Sequence, residues 1–427
     1  MESYRPERPD PREARTNVKP TVLVATTTDS FSPARLAMAF VKAGCTVGAI
    51  CPSGQPLRNT SAVGEIHTYS ALRPLLSFAR AIASARPDLV VPCDDLATQH
   101  LIDLYDQNHN RGTSGALTCR LIERSLGAPG NFPVLCARTA FMELAQEEGV
   151  RVPKTEVVTN TDDLEKWSVR MGFPAVLKAN GTSGGDGVRV VRTLEEAERA
   201  FRALAAPPLF ARAVKRALFD QDMTLVWPSL LRRRYVVNAQ AFVAGREATS
   251  LVACSKGKVL AGLHFEVLLK QDAGGPATVL GSIENEEMST AAEKMVRRLE
   301  LSGLHGFDFM LEAATGNAYL IEINPRATQV GHLTLGLGRD LPAALSAAVS
   351  GEAVQAAPKV TENDTIALFP QEWLRNPASP FLQTGYHDVP WEEPDLIRVS
   401  VRRRSKQNVW NSQEKWMQAF SKVRRRP

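Results

Sequence analysis

The sequence predicts a mixed α/β and α+β fold class that begins with an α/β domain built on a parallel sheet. Three observations predict it. Short β-branched runs alternate with helical stretches over residues 21–92, the pattern of strand–helix–strand units. A glycine-rich turn at residues 180–187 joins two predicted strands. Finally, residues 306–326 are predicted to form a strand, a tight turn and a second strand.

The first domain is predicted element by element from this alternation. Its predicted strands and helices, in order, are strand 21–25, helix 33–42, strand 45–51, helix 72–85 and strand 87–92. This order predicts a parallel sheet with right-handed crossovers. No glycine-rich dinucleotide fingerprint follows the first strand, and the chain has no P-loop signature.

Composition limits the class of protein. The chain has 427 residues, of which 44% are hydrophobic and 23% charged, with a net charge of +5. No apolar run approaches the roughly 18 to 20 residues needed to span a membrane, and the polar segment 1–20 is predicted to be a disordered leader. Because this leader does not resemble a secretion signal, we expect a cytoplasmic protein. Six scattered cysteines favour reduced thiols. The arginine triplets lack interleaved aromatics, so nucleic-acid binding is not expected.

The glycine-rich turn follows Lys178 directly. It contains Ser183, Gly184, Gly185 and Gly187. Glycine lets the backbone bend and present consecutive N–H groups to phosphate oxygens, while the lysine can contact the same anion as a point charge. The turn is therefore a candidate phosphate-binding lid. A mobile hairpin tip is the alternative.

The strand–turn–strand segment at 306–326 carries the strongest chemical signal. If the turn is centred near Thr315, Asp308 lies across from Glu322, and Asn324 points to the same face. Oxygen ligands of this kind suit Mg²⁺ together with phosphate oxygens. Solvated acidic residues are the alternative.

The flanking residues of this segment favour the metal interpretation. Arg326 follows at once and supplies a fixed cation for a transferring phosphoryl group. Alternation predicts that the opposite, apolar face packs in the core; its residues are Phe307, Phe309, Leu311, Tyr319, Ile321 and Ile323. Carboxylates held rigidly by such packing are expected to have a partner.

Three further segments are predicted less specifically. Helices are predicted over 138–148 and 333–351, and an extended segment over 238–247. A second substrate is expected near residues 327–332, where Arg326 and His332 could orient a carboxylate. His264 is a weaker candidate for the same cavity, since a lone histidine is more often structural.

Taken together, these elements resemble the ATP-grasp superfamily over Val22–Glu352. The resemblance implies a Rossmann-like first domain followed by a fold that holds ATP between two α+β subdomains. It implies that Lys178 holds phosphates and that Glu247 contacts the ribose. The other implied sites are the lid (Ser183, Gly184, Gly185, Gly187), the adenine contacts (Ala241, Val243), the ligands of Mg²⁺ or Mn²⁺ (Asp308, Glu322, Asn324) and the arginine beside the γ-phosphate (Arg326).

The sequence departs from the family pattern at two positions. Arg138 stands where a lysine is common, so a cation is kept but its phosphate contact can differ in shape. Gln240 stands where an acidic residue commonly opens the adenine-binding hinge, and it could accept from the adenine amino group. The resemblance therefore implies nucleotide binding more firmly than a preference for ATP.

The activity implied is ATP-dependent ligation: a carboxylate is activated as an acylphosphate and joined to an amine or thiol, releasing ADP and phosphate. One alternative is a carboxyphosphate-forming enzyme resembling biotin carboxylase or half of a carbamoyl-phosphate synthase large subunit. The other is a module that binds ATP without turnover. The expected partners are small-molecule substrates, with a homodimer as the candidate assembly and no membrane.

The predicted organisation has five parts. They are the leader (1–20), the α/β domain (21–130), a central subdomain with the lid (131–240), a subdomain with the metal site (241–360) and an extension with a basic tail (361–427).

Overall fold

The computed structural model describes residues 19–180, 187–207, 235–272, 274–355 and 357–400. Most of the predicted leader, most of the glycine-rich turn and the basic tail lie outside the described residues.

A four-stranded sheet forms the first domain, in the order β3-β2-β1-β4. All its neighbours are parallel, which confirms the prediction. The elements are β1 (Thr21–Ala25), α1 (Ser32–Lys42), β2 (Thr46–Cys51), β3 (Glu65–Thr68), α2 (Pro74–Ala85), β4 (Leu89–Pro92), α3 (Asp95–Asn108) and α4 (Thr113–Leu126). Short 3₁₀ helices cover Pro56–Asn59 and Pro129–Asn131.

A small antiparallel sheet follows, in the order β5-β8-β6-β7. The elements of this part are α5 (Phe132–Cys136), α6 (Arg138–Glu147), β5 (Thr155–Val158), α7 (Thr161–Met171), β6 (Ala175–Ala179), β7 (Val188–Val191), α8 (Leu194–Ala205) and β8 (Val237–Ala241). Its core packs Trp167 of α7 against Leu177 of β6.

A larger sheet of seven strands completes the fold, in the order β13-β12-β9-β10-β11-β14-β15. Its pairs are antiparallel except β14 with β15. The elements are β9 (Gly245–Ser255), β10 (Lys258–Lys270), β11 (Ala277–Ser282), α9 (Glu286–Arg298), β12 (Gly303–Glu312), β13 (Ala318–Asn324), α10 (Leu341–Ser350), β14 (Thr365–Leu368), α11 (Gln371–Arg375), α12 (Phe381–Thr384) and β15 (Tyr386–Asp388).

The larger sheet and the first domain share two hydrophobic cores. On the face covered by α9, Leu23 of β1 belongs to the same buried cluster as Phe307 of β12. On the face covered by α10 and α1, Leu36 clusters with Leu251 and Leu345. Burial on both faces fixes the first domain against the strands that carry the predicted metal ligands. No helix within the described residues is long and apolar enough to span a membrane.

The helix predicted over 333–351 is shorter in the structure. It begins after Asp340, whose side chain accepts from the Ala343 N–H at 3.1 Å. The preceding segment is a loop in which Gly336 and Gly338 have φ values of 103° and 71°, a conformation that favours glycine over other residues. Alanine-rich composition therefore predicted the helix but not where it begins.

The core face of β13 also differs from the prediction. A register shift lies between Asp308/Glu322 and Phe309/Leu320, which leaves Ile321 as an extra residue in β13. Such a bulge reverses the alternation beyond it. Ala318 and Leu320 are consequently buried, and the expected core placement of Tyr319 and Ile321 is wrong.

Candidate functional site

The hairpin of β12 and β13 has the predicted register at its polar end. Asp308 lies opposite Glu322, and its two oxygens accept from Thr249 Oγ1 and Asn324 Nδ2, each at 2.8 Å. Burial raises the pKa of Asp308, and the neighbouring Glu322 carboxylate raises it further. The pair therefore favours a nearby cation.

The donor set at this pair fits a small divalent cation. Within the described ranges, no group of three His, Cys, Asp or Glu side chains converges. The candidate ligands are therefore two carboxylates and the amide of Asn324. Mg²⁺ is commonly held by one or two carboxylates, with phosphate oxygens and water completing its shell. The oxygens of Asp308, Glu322 and Asn324 match that requirement in kind.

Lys178 projects from β6 of the small sheet toward this carboxylate pair. Its side chain is only 4% exposed, and burial lowers its pKa to about 8. Glu322 and Asp308 raise this pKa, whereas Arg138 lowers it. The Lys178 and Arg138 cations and the Asp308 and Glu322 carboxylates are therefore close enough to interact electrostatically.

Arg138 is the first residue of α6 and points at the metal-ligand candidates. Its guanidinium donates to the Glu322 carboxylate and, at 3.4 Å, to the Ala179 carbonyl. The next residue, Thr139, donates to the side chain of Asn238 on β8. Asn238 in turn donates to Asn180 at 2.7 Å. The start of α6 is thereby tied to the strand end that carries Lys178.

The glycine turn begins at this strand end. The Ala179 N–H donates to the carbonyl of Gly187 at 2.9 Å, within the hairpin of β6 and β7. Ser183, Gly184 and Gly185 lie outside the described residues, so their assignment to a lid remains a prediction.

The predicted adenine contacts lie where the chain passes from the small sheet to the larger one. Gln240 is buried in β8 and donates to Thr155 Oγ1 at 3.0 Å. The Ala241 N–H donates to the Lys154 carbonyl at 2.8 Å, so the carbonyl is the backbone group that this residue could offer a ligand. Val243 lies in the link between β8 and β9.

Glu247 lies just beyond this link, on β9. It is opposite Met310 of β12, and its carboxylate accepts from Lys270 Nζ at 2.8 Å. About half of its side chain is exposed, so the carboxylate is accessible to solvent.

Arg326 follows β13, and hydrogen bonds hold two edges of its guanidinium. Its Nε donates to Asp95 Oδ1 at 2.7 Å, and its Nη2 donates to Asn324 Oδ1 at 3.1 Å. Burial lowers its pKa, but the carboxylates of Asp95, Asp94 and Asp308 outweigh burial and raise the pKa overall. The guanidinium is therefore a permanent cation beside the carboxylate pair.

The two histidines proposed for the second-substrate cavity lie elsewhere. His332 is buried and contacts Asp388 Oδ2 at 2.6 Å, and Asp388 also pairs with Arg35. His264 contacts Ser250 and, through Nε2 at 3.1 Å, Ser289 of α9. His264 therefore lies on the α9 face of the larger sheet, opposite to the face that Asp308 occupies.

Sequence reasoning missed two residues of this site, Thr249 and Asp95. Thr249 is opposite Asp308 across β9 and β12, a pairing between strands that are far apart in sequence. Asp95 begins α3 at the carboxyl end of β4. Its position at that end of a parallel strand was a usable signal, because ligands of open α/β sheets gather there.

A comparison with family models covers the segment that carries the hairpin of β12 and β13. Residues 137–335 match the family model described as the carbamoyl-phosphate synthase L chain, ATP binding domain. A carbamoyl phosphate synthase large chain from Rubrobacter xylanophilus is 24% identical over 253 residues, covering 59% of this chain and 22% of that protein. A formate-dependent phosphoribosylglycinamide formyltransferase from Bacteroides fragilis is 24% identical over 265 residues, covering 60% of this chain and 58% of that protein. The match thus spans between about a fifth and three fifths of these relatives' lengths.

Solved structures with the same fold cover more of the chain. The biotin carboxylase domain of Hydrogenobacter thermophilus 2-oxoglutarate carboxylase, a dimer with MgADP, ADP and bicarbonate, has a TM-score of 0.55 and 15% identity over 80% of this chain and 71% of its own. An N5-carboxyaminoimidazole synthase from Aspergillus clavatus, with ADP and 5-aminoimidazole ribonucleotide, has a TM-score of 0.57 and 15% identity over 79% of this chain and 78% of its own.

Two observations agree with the match over residues 137–335: the fold shared with these solved structures, and the polar residues of the hairpin of β12 and β13. Residues 137–335 are therefore similar to that ATP binding domain, and the chain has the fold of the ATP-grasp proteins.

Proposed function

We propose that this chain is an ATP-dependent ligase. It activates a carboxylate as an acylphosphate, joins it to an amine or thiol, and releases ADP and phosphate. One observation carries the proposal: Arg138 donates to Glu322, and Lys178 lies near enough to the Asp308–Glu322 pair for both carboxylates to raise its pKa. Cations beside paired carboxylates suit a nucleotide polyphosphate with its metal ion.

The nucleotide contacts follow from the placement of these side chains. Lys178 and Arg138 contact phosphates, and Glu247 accepts from ribose hydroxyls. The Ala241 carbonyl and the Val243 N–H contact the adenine edge. Because Gln240 already donates to Thr155, only its carbonyl oxygen remains to accept from the adenine amino group. Ser183, Gly184, Gly185 and Gly187 cover the phosphates and exclude water.

The metal ligands are Asp308, Glu322 and Asn324, which would hold Mg²⁺ or Mn²⁺. When bound, the ion neutralises charge on the phosphate oxygens. Arg326 orients the γ-phosphoryl group and stabilises the charge that develops during its transfer to the carboxylate. No protein nucleophile is required, since positioning and charge neutralisation supply most of the catalysis in phosphoryl transfer.

A second candidate function is bicarbonate activation to carboxyphosphate. A specific observation favours it: the Hydrogenobacter thermophilus biotin carboxylase domain was crystallised with both MgADP and bicarbonate. Bicarbonate is itself a small carboxylate, so the residues assigned above would act on it in the same way.

Turnover assays with pools of possible substrates test both candidate functions. Purified protein is incubated with ATP, Mg²⁺ and separate pools of amino acids, other carboxylates, amines, thiols and bicarbonate, and ADP and product masses are measured. The ligase proposal predicts ADP release that requires an acid and a nucleophile together. ADP release that requires only bicarbonate favours the second candidate. Nucleotide binding with no turnover in any pool would indicate a binding module, and absence of nucleotide binding would refute the assignment altogether.

We further propose that the enzyme acts in the cytoplasm on small molecules and assembles as a homodimer. Light scattering of the purified chain tests the assembly, since a mass of one 427-residue chain would contradict it.

A further inference from the structure

We propose that Asp95 is a positioning residue for Arg326, so that the first domain forms part of the phosphoryl-transfer site. This inference rests on the proposed function, because that function gives Arg326 its role. The first domain has no nucleotide fingerprint of its own, yet its β4–α3 junction contacts the segment that carries the arginine.

Three hydrogen bonds join that junction to residues 325–327. The Ala327 N–H donates to the Pro92 carbonyl at 2.9 Å. Thr98 Oγ1 donates to the Pro325 carbonyl at 2.8 Å. Arg326 Nε donates to Asp95 Oδ1 at 2.7 Å. Two of these bonds hold the backbone, and only the Asp95 bond holds the guanidinium.

The backbone of Asp95 is held at the capped start of α3, while its side chain is 50% exposed. The preceding residue, Asp94, caps α3 by accepting from the Ala97 N–H at 2.8 Å. The same carboxylate accepts from the side chain of Thr26 at 2.8 Å and from the Thr27 N–H at 2.6 Å, after β1. The capped start of α3 is therefore tied to a second strand of the sheet, so the Asp95 carboxylate meets Arg326 from a rigid base.

The guanidinium is planar, so two anchored edges fix its plane. Asp95 holds Nε and Asn324 holds Nη2 at 3.1 Å. Nη1 makes only a longer bond, of 3.4 Å, to the Ala327 carbonyl. Nη1 is therefore the nitrogen that can most readily donate to a phosphate oxygen instead. Loss of Asp95 would free the guanidinium to rotate about its remaining anchor.

The test compares Asp95→Ala, which removes the acceptor of the Nε–H bond, with Thr98→Val, which removes another bond across the same interface without touching the guanidinium. We expect Asp95→Ala to lower kcat by about 10- to 100-fold, the cost of a small misplacement of a catalytic group. The KM for ATP should change by less than about twofold, and Thr98→Val should change kcat by less than about twofold. Equal losses of kcat in both variants would show that Asp95 only stabilises the contact between the β4–α3 junction and residues 325–327. That result would overturn the proposal.

A double-mutant cycle with Arg326→Lys tests the route of the effect. If Asp95 acts through Arg326, adding Asp95→Ala to Arg326→Lys should lower kcat by less than about twofold more. Independent losses that multiply would overturn the proposal. Asp95→Glu, which keeps the charge, should restore part of the lost kcat.

Proton exchange at Arg326 can be measured without turnover, so it tests the positioning role independently of the proposed function. The Nε–H resonance of Arg326, assigned by its loss in Arg326→Lys, should exchange slowly with water in the wild-type protein. Its exchange should be at least about tenfold faster in Asp95→Ala and unchanged in Thr98→Val, as expected when a hydrogen bond that protects the proton is lost. Absence of ATP turnover in the wild type would refute the proposed function, whereas unchanged Nε–H exchange in Asp95→Ala would refute the positioning role.

Discussion

Arg138, the first residue of α6, pairs with Glu322 of the larger sheet. Glu322 is therefore held by a guanidinium at the position where the proposed function requires a metal ligand. Since the same arginine is proposed to contact phosphates, nucleotide binding is expected to transfer both groups to new partners. Glu322 would turn to the metal, and Arg138 to the nucleotide.

Arg138→Met should separate these two contributions. Without its cationic partner, Glu322 is free for a metal ion, so Mn²⁺ binding in the absence of nucleotide should become tighter. ADP affinity should fall by about tenfold, because a charge-assisted bond to phosphate is lost. Electron paramagnetic resonance of Mn²⁺ and calorimetry of ADP measure the two effects. The phosphate role would be contradicted by unchanged ADP affinity, and the competition with metal by weaker Mn²⁺ binding.

Glu322→Ala should abolish Mg²⁺-dependent phosphoryl transfer, with a loss of at least about a thousandfold in kcat, at or above the upper end of what one electrostatic group contributes. The fold should persist, because Glu322 is partly exposed at 30% of its side chain. ADP release and thermal unfolding are measured together. Glu312→Ala, at the exposed end of the same hairpin, serves as the matched control. Normal turnover in Glu322→Ala would refute the metal assignment.

Local sequence pattern predicted the polar end of this hairpin. A turn centred near Thr315 was predicted to place Asp308 opposite Glu322, and this pairing is observed. The register beside the turn, Phe309 with Leu320, would alone pair Asp308 with Ile321, so the bulge at Ile321 is what brings Glu322 opposite Asp308. The bulge at Ile321 could not be predicted in this way, because nothing in the strand's own residues signals it. The core face beyond the bulge was accordingly predicted wrongly.

Contacts between distant segments account for the rest of what the sequence did not predict. Asp95 and Arg326 are 231 residues apart, and they meet only because two shared cores fix the first domain against the larger sheet. His332 was expected in a substrate cavity. It is buried against Asp388 instead, a residue of the last strand whose pairing with β14 could not be read from local pattern.

Asp388→Asn should destabilise the fold. Asp388 is 1% exposed and pairs with both Arg35 and His332, so the substitution leaves a buried cation without its partner. We expect a loss of about 3 to 5 kcal/mol in the free energy of unfolding by urea. Asp395→Asn, in the exposed pair with Arg398, should cost less than about 1 kcal/mol. A cost below 1 kcal/mol for Asp388→Asn would contradict the buried-pair argument.

Nucleotide affinity should depend on the protonation of Lys178. Its pKa is lowered to about 8 by burial, and only the protonated amine attracts phosphate. ADP binding should therefore weaken as the pH rises through 8, by up to about tenfold per pH unit. Calorimetry from pH 7 to 9.5 measures this dependence. Lys178→Arg, which stays charged throughout this range, should remove it. A pH profile shared by both proteins would show that another group is responsible.

The same lowered pKa affects stability in a defined direction. Between the folded pKa of about 8 and the usual value of 10.5, the unfolded chain binds a proton at Lys178 that the folded chain does not. Stability should therefore rise with pH across this window, and the full cost of burying the charge should be present below pH 8. Urea unfolding of the wild type and of Lys178→Met measures it. The rise should be smaller in the variant, and an equal rise in both would exclude Lys178 as its source.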